Sequence, residues 1–251
     1  MKNSLSVILP CYNPQLHDDW DKIIIENMQR IHSEVGGCEL IIVDDGTPKD
    51  ISKELNNIKT SIDQVKIISS NLNMGKGYAI RKGIYQASHE LIIYTDIDFP
   101  YQHESFMSIY HNLQKADVDI AVGVKEKAYY DGVPFFRKYI SKILRWMIKN
   151  LLSIAITDTQ CGLKGFKKSM KHLWLEGTID RYLFDLEMIY NAEQQGYQVK
   201  PIPVKLRPGV EFSQIKVSIL AKELNNFLMI VWKSRWNKIR KTLMKNNQAT
   251  N

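Results

Sequence analysis

Apolar residues in the first half of the chain come in short unbroken runs, and the segments between them carry apolar positions at helical spacing. LSVILP (5–10), ELIIVDD (39–45), VKIISS (65–70), ELIIYTD (90–96) and DIAVGV (119–124) read as five strands. Helical patterns cover about Asp18–Glu34, Lys49–Ile62, Gly75–Ser88 and His103–Lys115. Continuous apolar strands separated by helices of this length define βαβ units and a parallel sheet covered on both faces. The expected class is α/β, a Rossmann-like, mostly parallel sheet flanked by helices. Right-handed crossovers then bring the C-terminal ends of the parallel strands to one edge, where ligands collect.

The second half is less regular. Lys125–Val133 reads as a loop and Phe135–Leu152 as a basic amphipathic helix. TDTQCGLKGF (157–166) follows, then a helix over about Leu183–Gln195, a strand in YQVKPIPVKL (197–206) and a long helix over about Gln214–Lys245. No internal repeat or low-complexity linker divides the chain. The expected organisation is one catalytic domain over 1–212, then a C-terminal amphipathic helix and tail over 213–251 that face a membrane or another subunit.

Composition narrows the class. Hydrophobic residues make up 44% and charged residues 24% of 251, which excludes a disordered chain or a membrane bundle. No apolar run approaches the ~20 residues of a membrane span. The opening MKNSLSVILP reads as a first strand, too short for a signal peptide, and a cytosolic location is expected. Cys11, Cys38 and Cys161 lack metal-ligand spacing and are expected to be reduced, buried thiols. The net charge of +7 points to an anionic partner, nucleic acid or a lipid surface. Much of the excess lies in Lys233, Arg235, Lys238, Arg240, Lys241 and Lys245, on a segment without acids. Leu228, Trp232, Trp236, Ile239 and Leu243 recur there at helical spacing. A basic helix with tryptophans suits an anionic membrane interface, and no nucleic-acid module accompanies it. Packing on the domain or in a homo-oligomer is the alternative.

Four strand ends deliver polar groups to one edge: Pro10, Tyr12 and Asn13; Asp44 and Asp45; Asn71–Lys76; and Asp96 with Asp98. Two aspartates one residue apart at the end of a buried strand repel unless a cation lies between them. A divalent ion, Mg²⁺ or Mn²⁺, clamped between such a pair and a diphosphate stabilises a leaving diphosphate. Asp96-Ile97-Asp98 points alternate side chains from a strand end, so one aspartate can reach the metal directly and the other can reach ribose or metal-bound water. An aromatic at Tyr12 can stack on a nucleobase or pack as core. Asp44 or Asp45 can accept hydrogen bonds from base or ribose. NMGKGYA places glycines on either side of Lys76 at a helix start, a place for phosphate oxygens, although the GxxxxGK[ST] pattern is absent.

SVILPCYNP, ELIIVDDGTPKD, NMGKGYAIRKGI and YTDIDFPY resemble, in order, the nucleotide-sugar motifs of inverting GT-A glycosyltransferases of family 2. DTQCGLKGF, followed by RYLFDLEMIYNAEQQGYQVKPIPV, resembles more narrowly the polyprenyl-phosphate glycosyltransferases, the dolichyl-phosphate glucosyltransferase and mannose synthase group. The resemblance spans about Ser4–Arg207. It implies a nucleotide-sugar donor, a metal held by Asp98 with Asp96, and a polyprenyl phosphate or other lipid-linked acceptor. DTQCG favours uridine diphosphate glucose, with guanosine diphosphate mannose the alternative. Lys125, Arg137 and Ser141 correspond to groups that hold the acceptor phosphate, Lys125 standing where the family pattern has an arginine. Gln160 falls beside the donor sugar. Asp158 and Asp185 hold sugar hydroxyls or order the site if the acceptor is a phosphate. One of them must act as base if the acceptor is a glycan or glycolipid hydroxyl. A non-catalytic nucleotide-sugar binding protein is the reading of another class.

Overall fold

The computed structural model describes residues 4–14, 19–125, 135–152, 154–210 and 222–236, with the side chains of 135–137 left out. Seven strands form one sheet: β1 (Leu5–Cys11), β2 (Cys38–Asp44), β3 (Val65–Ser69), β4 (Leu91–Tyr94), β5 (Ile120–Lys125), β6 (Lys164–Lys167) and β7 (Val199–Val204). Their order is β3-β2-β1-β4-β6-β5-β7. β6 runs antiparallel to both neighbours, and every other pairing is parallel. β1 and β2 are buried along almost their whole length, as expected of strands covered on both faces.

The helices are α1 (Trp20–Val35), α2 (Ser52–Ser61), α3 (Lys76–Gln86), α4 (His103–Leu113), α5 (Phe135–Leu151), α6 (Lys171–Leu175), α7 (Phe184–Gln194) and α8 (222–236). Trp20, Ile24, Met28 and Ile31 of α1 join Leu5, Val7, Leu9, Leu40 and Ile42 in the core on one face of the sheet. On the other face α3 lies close to β1, because Gly83 leaves room for the Ile8 side chain. α6 and α7 extend that second layer.

One feature departs from the sequence reading. An antiparallel strand, β6, lies between β4 and β5. β6 and the short α6 have no counterpart among the expected elements. A four-residue strand, KGFK, carries too little pattern to read, and its place follows from pairing with β4 and β5.

The chain gathers into two compact units, Met1–Gly132 with Asp158–Glu211, and Val133–Thr157 with Phe212–Asn251. The second includes α5 and α8. No described helix is long and apolar enough to cross a membrane.

Candidate active site

Because β1, β2, β3, β4 and β5 run parallel, the loops that follow them share one edge. β6 runs the other way, so the loop that precedes it, 158–163, reaches that same edge. This inversion brings DTQCG to the aspartates after β4.

The strand does not continue through those aspartates. β4 ends at Tyr94, and Phe99 N–H donates to the Asp96 carbonyl at 3.0 Å, which closes a turn over 96–99. Phe99 and Asn13 are the two described non-glycine residues in the left-handed region, at φ 45° and 47°. Such strain concentrates where surrounding structure holds a loop for a purpose, and both residues flank this edge. Arg207 donates to the backbone carbonyl of Asp98 and Arg207 N–H to that of Pro100 at 2.9 Å, bracing the turn from the segment after β7. Nothing local in the sequence singles out Arg207, because the turn it braces lies far from it in the chain.

Lys76 donates to Asp96 Oδ1. Burial works against a charged Asp96, but Lys76 beside it, with Lys164 and Lys125 farther out, holds its carboxyl below the usual aspartate range. The reciprocal holds for Lys76, raised against burial by Asp96, Asp185 and Asp98. Lys76 is therefore part of the charged site and not a solvated lysine. Asp96 and Asp98 offer hard oxygen donors in one turn. Among the described residues no third acid or histidine completes a metal cluster. That donor set fits Mg²⁺ or Mn²⁺ bound by one or two carboxylates, with diphosphate and water completing the shell.

Pro10 lies within β1, paired with Val43. Tyr12 is 47% exposed, so its ring is not core. Asn13 N–H donates to Thr47 Oγ1 at 3.1 Å. Asp44 Oδ1 accepts from Thr47 N–H at 3.0 Å, which closes its own turn. Asp45 is buried and accepts from Met74 N–H at 3.0 Å and Gly75 N–H at 2.7 Å. Asp45 thus ties the end of β2 to the loop that presents Lys76. The N-terminus of α3 is occupied: the Asp180 carbonyl accepts from Gly77 N–H at 2.7 Å and Tyr78 N–H at 3.2 Å. This differs from a phosphate seat at the helix start. Gly75 is needed for its φ of 118° and because a Cβ there would meet the Asp180 backbone.

The remaining acids are engaged. Asp158 Oδ2 accepts from Lys125 N–H at 2.8 Å, and Lys125 Nζ donates to the Gln160 carbonyl at 3.3 Å. Gln160 Nε2 donates to Thr159 Oγ1 at 3.3 Å. Asp185 is buried, accepts from Tyr94 Oη–H, and pairs with Lys164 Nζ at 2.9 Å. Glu187 accepts from Thr178 N–H and Oγ1–H, both at 2.8 Å, and from Ile179 N–H at 3.0 Å, holding the loop whose Asp180 caps α3. Arg137 lies outside the described side chains, and Ser141 falls in the second unit.

The fold and its strand-edge carboxylates define a class. The chain superimposes on glucosyl-3-phosphoglycerate synthase from Mycobacterium tuberculosis, solved with Mn²⁺, uridine diphosphate and phosphoglyceric acid, at TM-score 0.62 and 12% identity, covering 92% of this chain and 78% of that one. Mannosyl-3-phosphoglycerate synthase from Rubrobacter xylanophilus matches at TM-score 0.62 and 14% identity, over 91% and 73%. The architecture is that of the GT-A glycosyltransferases. In sequence, residues 6–174 match the family described as Glycosyl transferase family 2, and the chain belongs to that family. The dolichyl-phosphate beta-glucosyltransferase of Dictyostelium discoideum is 25% identical over 252 residues, 91% of this chain and 76% of its own length. The Homo sapiens protein of the same name is 28% identical over 206 residues, 75% of this chain and 63% of its own length.

Proposed function

We propose that this family 2 glycosyltransferase moves a hexose from a nucleotide-sugar to a polyprenyl phosphate at the cytosolic membrane face, by one inverting displacement. Uridine diphosphate glucose is the favoured donor and guanosine diphosphate mannose the second. An acceptor phosphate oxygen bonds to C1 of the sugar as the bond from C1 to the donor diphosphate breaks. The products are a polyprenyl-phosphate hexose and a nucleoside diphosphate. Asp98 and Asp96 would hold Mg²⁺ or Mn²⁺, and the ion would supply stabilisation of the charge that builds on the leaving diphosphate. Lys76 places a further positive charge at that point. Tyr12 offers its exposed ring to the base, and Gln160 lies beside the sugar.

The observation that carries the choice of acceptor is the engagement of Asp158 and Asp185. A hydroxyl acceptor needs a base, whereas these carboxylates are taken up by a backbone N–H, a tyrosine and a buried lysine. A phosphate monoester is ionised near neutral pH, its second pKa being ~6, and needs no base. Lys125, at the end of β5, is assigned to hold it. The names of the relatives support the same acceptor class.

The membrane reading is supported by the second unit. Leu224, Leu228, Trp232 and Trp236 form an exposed ridge along α8, the two indoles stacked at 6.1 Å. Lys222, Lys233 and Arg235 are exposed beside it. Ile239 and Leu243 lie outside the described residues. On α5, Tyr139, Ile143 and Trp146 are exposed with Lys142 and Lys149. Aromatic and basic residues alternating on an exposed helix face suit an anionic lipid interface.

The test is nucleoside diphosphate release with Mg²⁺ or Mn²⁺, screened over uridine- and guanosine-linked sugars, with and without a polyprenyl phosphate. Release that depends on the lipid phosphate is expected. Release driven instead by a glycan hydroxyl would overturn the acceptor assignment.

A further inference from the structure

Lys164 has no exposed surface, and its ammonium sits in the interior of the first unit. Burying an ammonium costs several kcal/mol unless it is paired and fully hydrogen-bonded. Asp185 is its counter-charge at 2.9 Å. Lys164 Nζ also donates to the Cys161 carbonyl. That carbonyl shares a peptide group with Gly162 N–H, which donates to Tyr101 Oη at 2.9 Å. One peptide plane is thus gripped at its oxygen by Lys164 and at its N–H by Tyr101. Cys161 Sγ also reaches Tyr101 Oη, at 3.3 Å.

This plane faces Asp96. A Cβ built on Gly162 would overlap Asp96 Oδ2, so the bare Cα of Gly162 lies directly against that carboxylate. Asp96 Oδ1 is held by Lys76 on its other side. Asp96 is therefore set between a lysine and a peptide whose orientation depends on Lys164. Tyr94 fits the same arrangement. It pairs with Lys164 across β4 and β6, its ring packs edge-on to Trp174 and tilted against Phe184, and its hydroxyl donates to Asp185.

We propose that Lys164, with Asp185 as its counter-charge, is a positioning residue that orients the Cys161–Gly162 peptide as the back wall of the Asp96 carboxylate, and that Asp185 is not a base. The inference rests on the reading of Asp96 and Asp98 as the metal and diphosphate site. It assigns a physical role to two residues of DTQCGLK: Gly162 makes room, and Lys164 holds the peptide that carries it.

Removing one partner of a buried pair leaves an uncompensated charge, so Lys164→Met alone is expected to lose stability. The informative protein is Lys164→Met/Asp185→Asn, in which no charge is stranded and the introduced amide oxygen still accepts from Tyr94. Its melting temperature and metal-free uridine diphosphate affinity should stay near wild type. Its Mn²⁺ affinity in the presence of uridine diphosphate, read from the electron paramagnetic resonance of the free ion, should fall about tenfold, since a donor misplaced by ~1 Å is costly in a preorganised site. Tyr101→Phe releases the other end of the peptide and should weaken Mn²⁺ in the same direction by about threefold, a readout that remains if the double variant does not fold. Wild-type Mn²⁺ affinity in folded double variant, or in Tyr101→Phe, would overturn the proposal. So would an inactive Asp185→Asn with unchanged Mn²⁺ affinity, which would return Asp185 to the chemistry. Failure of the wild-type protein to bind Mn²⁺ with either uridine or guanosine diphosphate would remove the metal-site reading itself, and this inference with it.

Discussion

Glu39 and Asp96 are both carboxylates at the ends of the same sheet, yet their surroundings are built differently. Glu39 stands at the start of β2, where four donors close on it: Ser6 Oγ–H and Ser88 N–H at 2.6 Å, Ser88 Oγ–H at 2.8 Å and Lys66 Nζ at 2.8 Å. Burial opposes its charge, but Lys66 and the serines hold the carboxyl down at about 2. Asp96 stands at the opposite edge, met by Lys76 and by the bare Cα of Gly162. The first arrangement is finished by the protein's own donors and joins β1, β2, β3 and the approach to β4. The second sets its charge against a lysine at the start of α3, an ion pair that a metal and diphosphate would rearrange under the proposed function. A carboxylate saturated by fixed donors serves stability. One balanced by a side chain at a strand-end crevice is available for ligand.

The sharpest way to break this contrast is Asp98→Asn. Turnover is expected to fall by about 10³-fold, the scale of losing one preorganised stabilising group, while the melting temperature holds. Retained activity with metal present would falsify the metal-site assignment. Next comes Gly162→Ala, whose methyl must displace Asp96 Oδ2. Turnover should drop by about 10²-fold in folded protein, measured beside thermal unfolding.

The opposite edge should behave inversely. Glu39→Ala strands Ser6, Ser88 and Lys66 and is expected to cost about 2–4 kcal/mol in denaturant unfolding, with turnover per folded molecule unchanged. Its pH dependence has a defined sign. The folded pKa of about 2 lies below the ordinary 4.5, so the contribution is fully present above 4.5 and is lost as pH falls from there through 2. Linkage puts it at about 3 kcal/mol, part of it salt-sensitive because Lys66 is partly exposed. Glu39→Gln should flatten the wild-type loss of stability over that window. A smaller effect is expected at the exposed aromatic ridge of α8, where Trp232→Ala or Trp236→Ala should weaken binding to anionic vesicles by about tenfold each without altering the melting temperature. The smallest is Gly37→Ala. A Cβ there meets nothing within 4 Å, and stability should move by less than about 0.5 kcal/mol.

Much of the first unit is readable from the chain. β1 to β5, β7, α1 to α4 and α7 fall within a few residues of their expected places, because unbroken apolar runs and helical spacing are local patterns. Asp96, Asp98 and Lys76 are legible as polar groups at consecutive strand ends. Asp185 is legible as a group that holds sugar hydroxyls, orders the site or serves a hydroxyl acceptor as base, but its partners Tyr94 and Lys164 lie far from it in the chain. Asp45 reads in sequence as a ligand of the base or ribose, whereas its oxygens hold Met74 and Gly75. The start of α3 reads as an anion seat, whereas Asp180 caps it.

Periodicity, strand-end chemistry and motif order therefore determine that this is an α/β transferase fold with a carboxylate pair at one edge, since each is written in neighbouring residues. The antiparallel insertion of β6, the pairing of Lys164 with Asp185 and the bracing of Asp98 by Arg207 are decided in three dimensions. Hydrogen bonds and buried charges are satisfied by whatever the folded sheet brings within about 3 Å, and no local pattern records those partners.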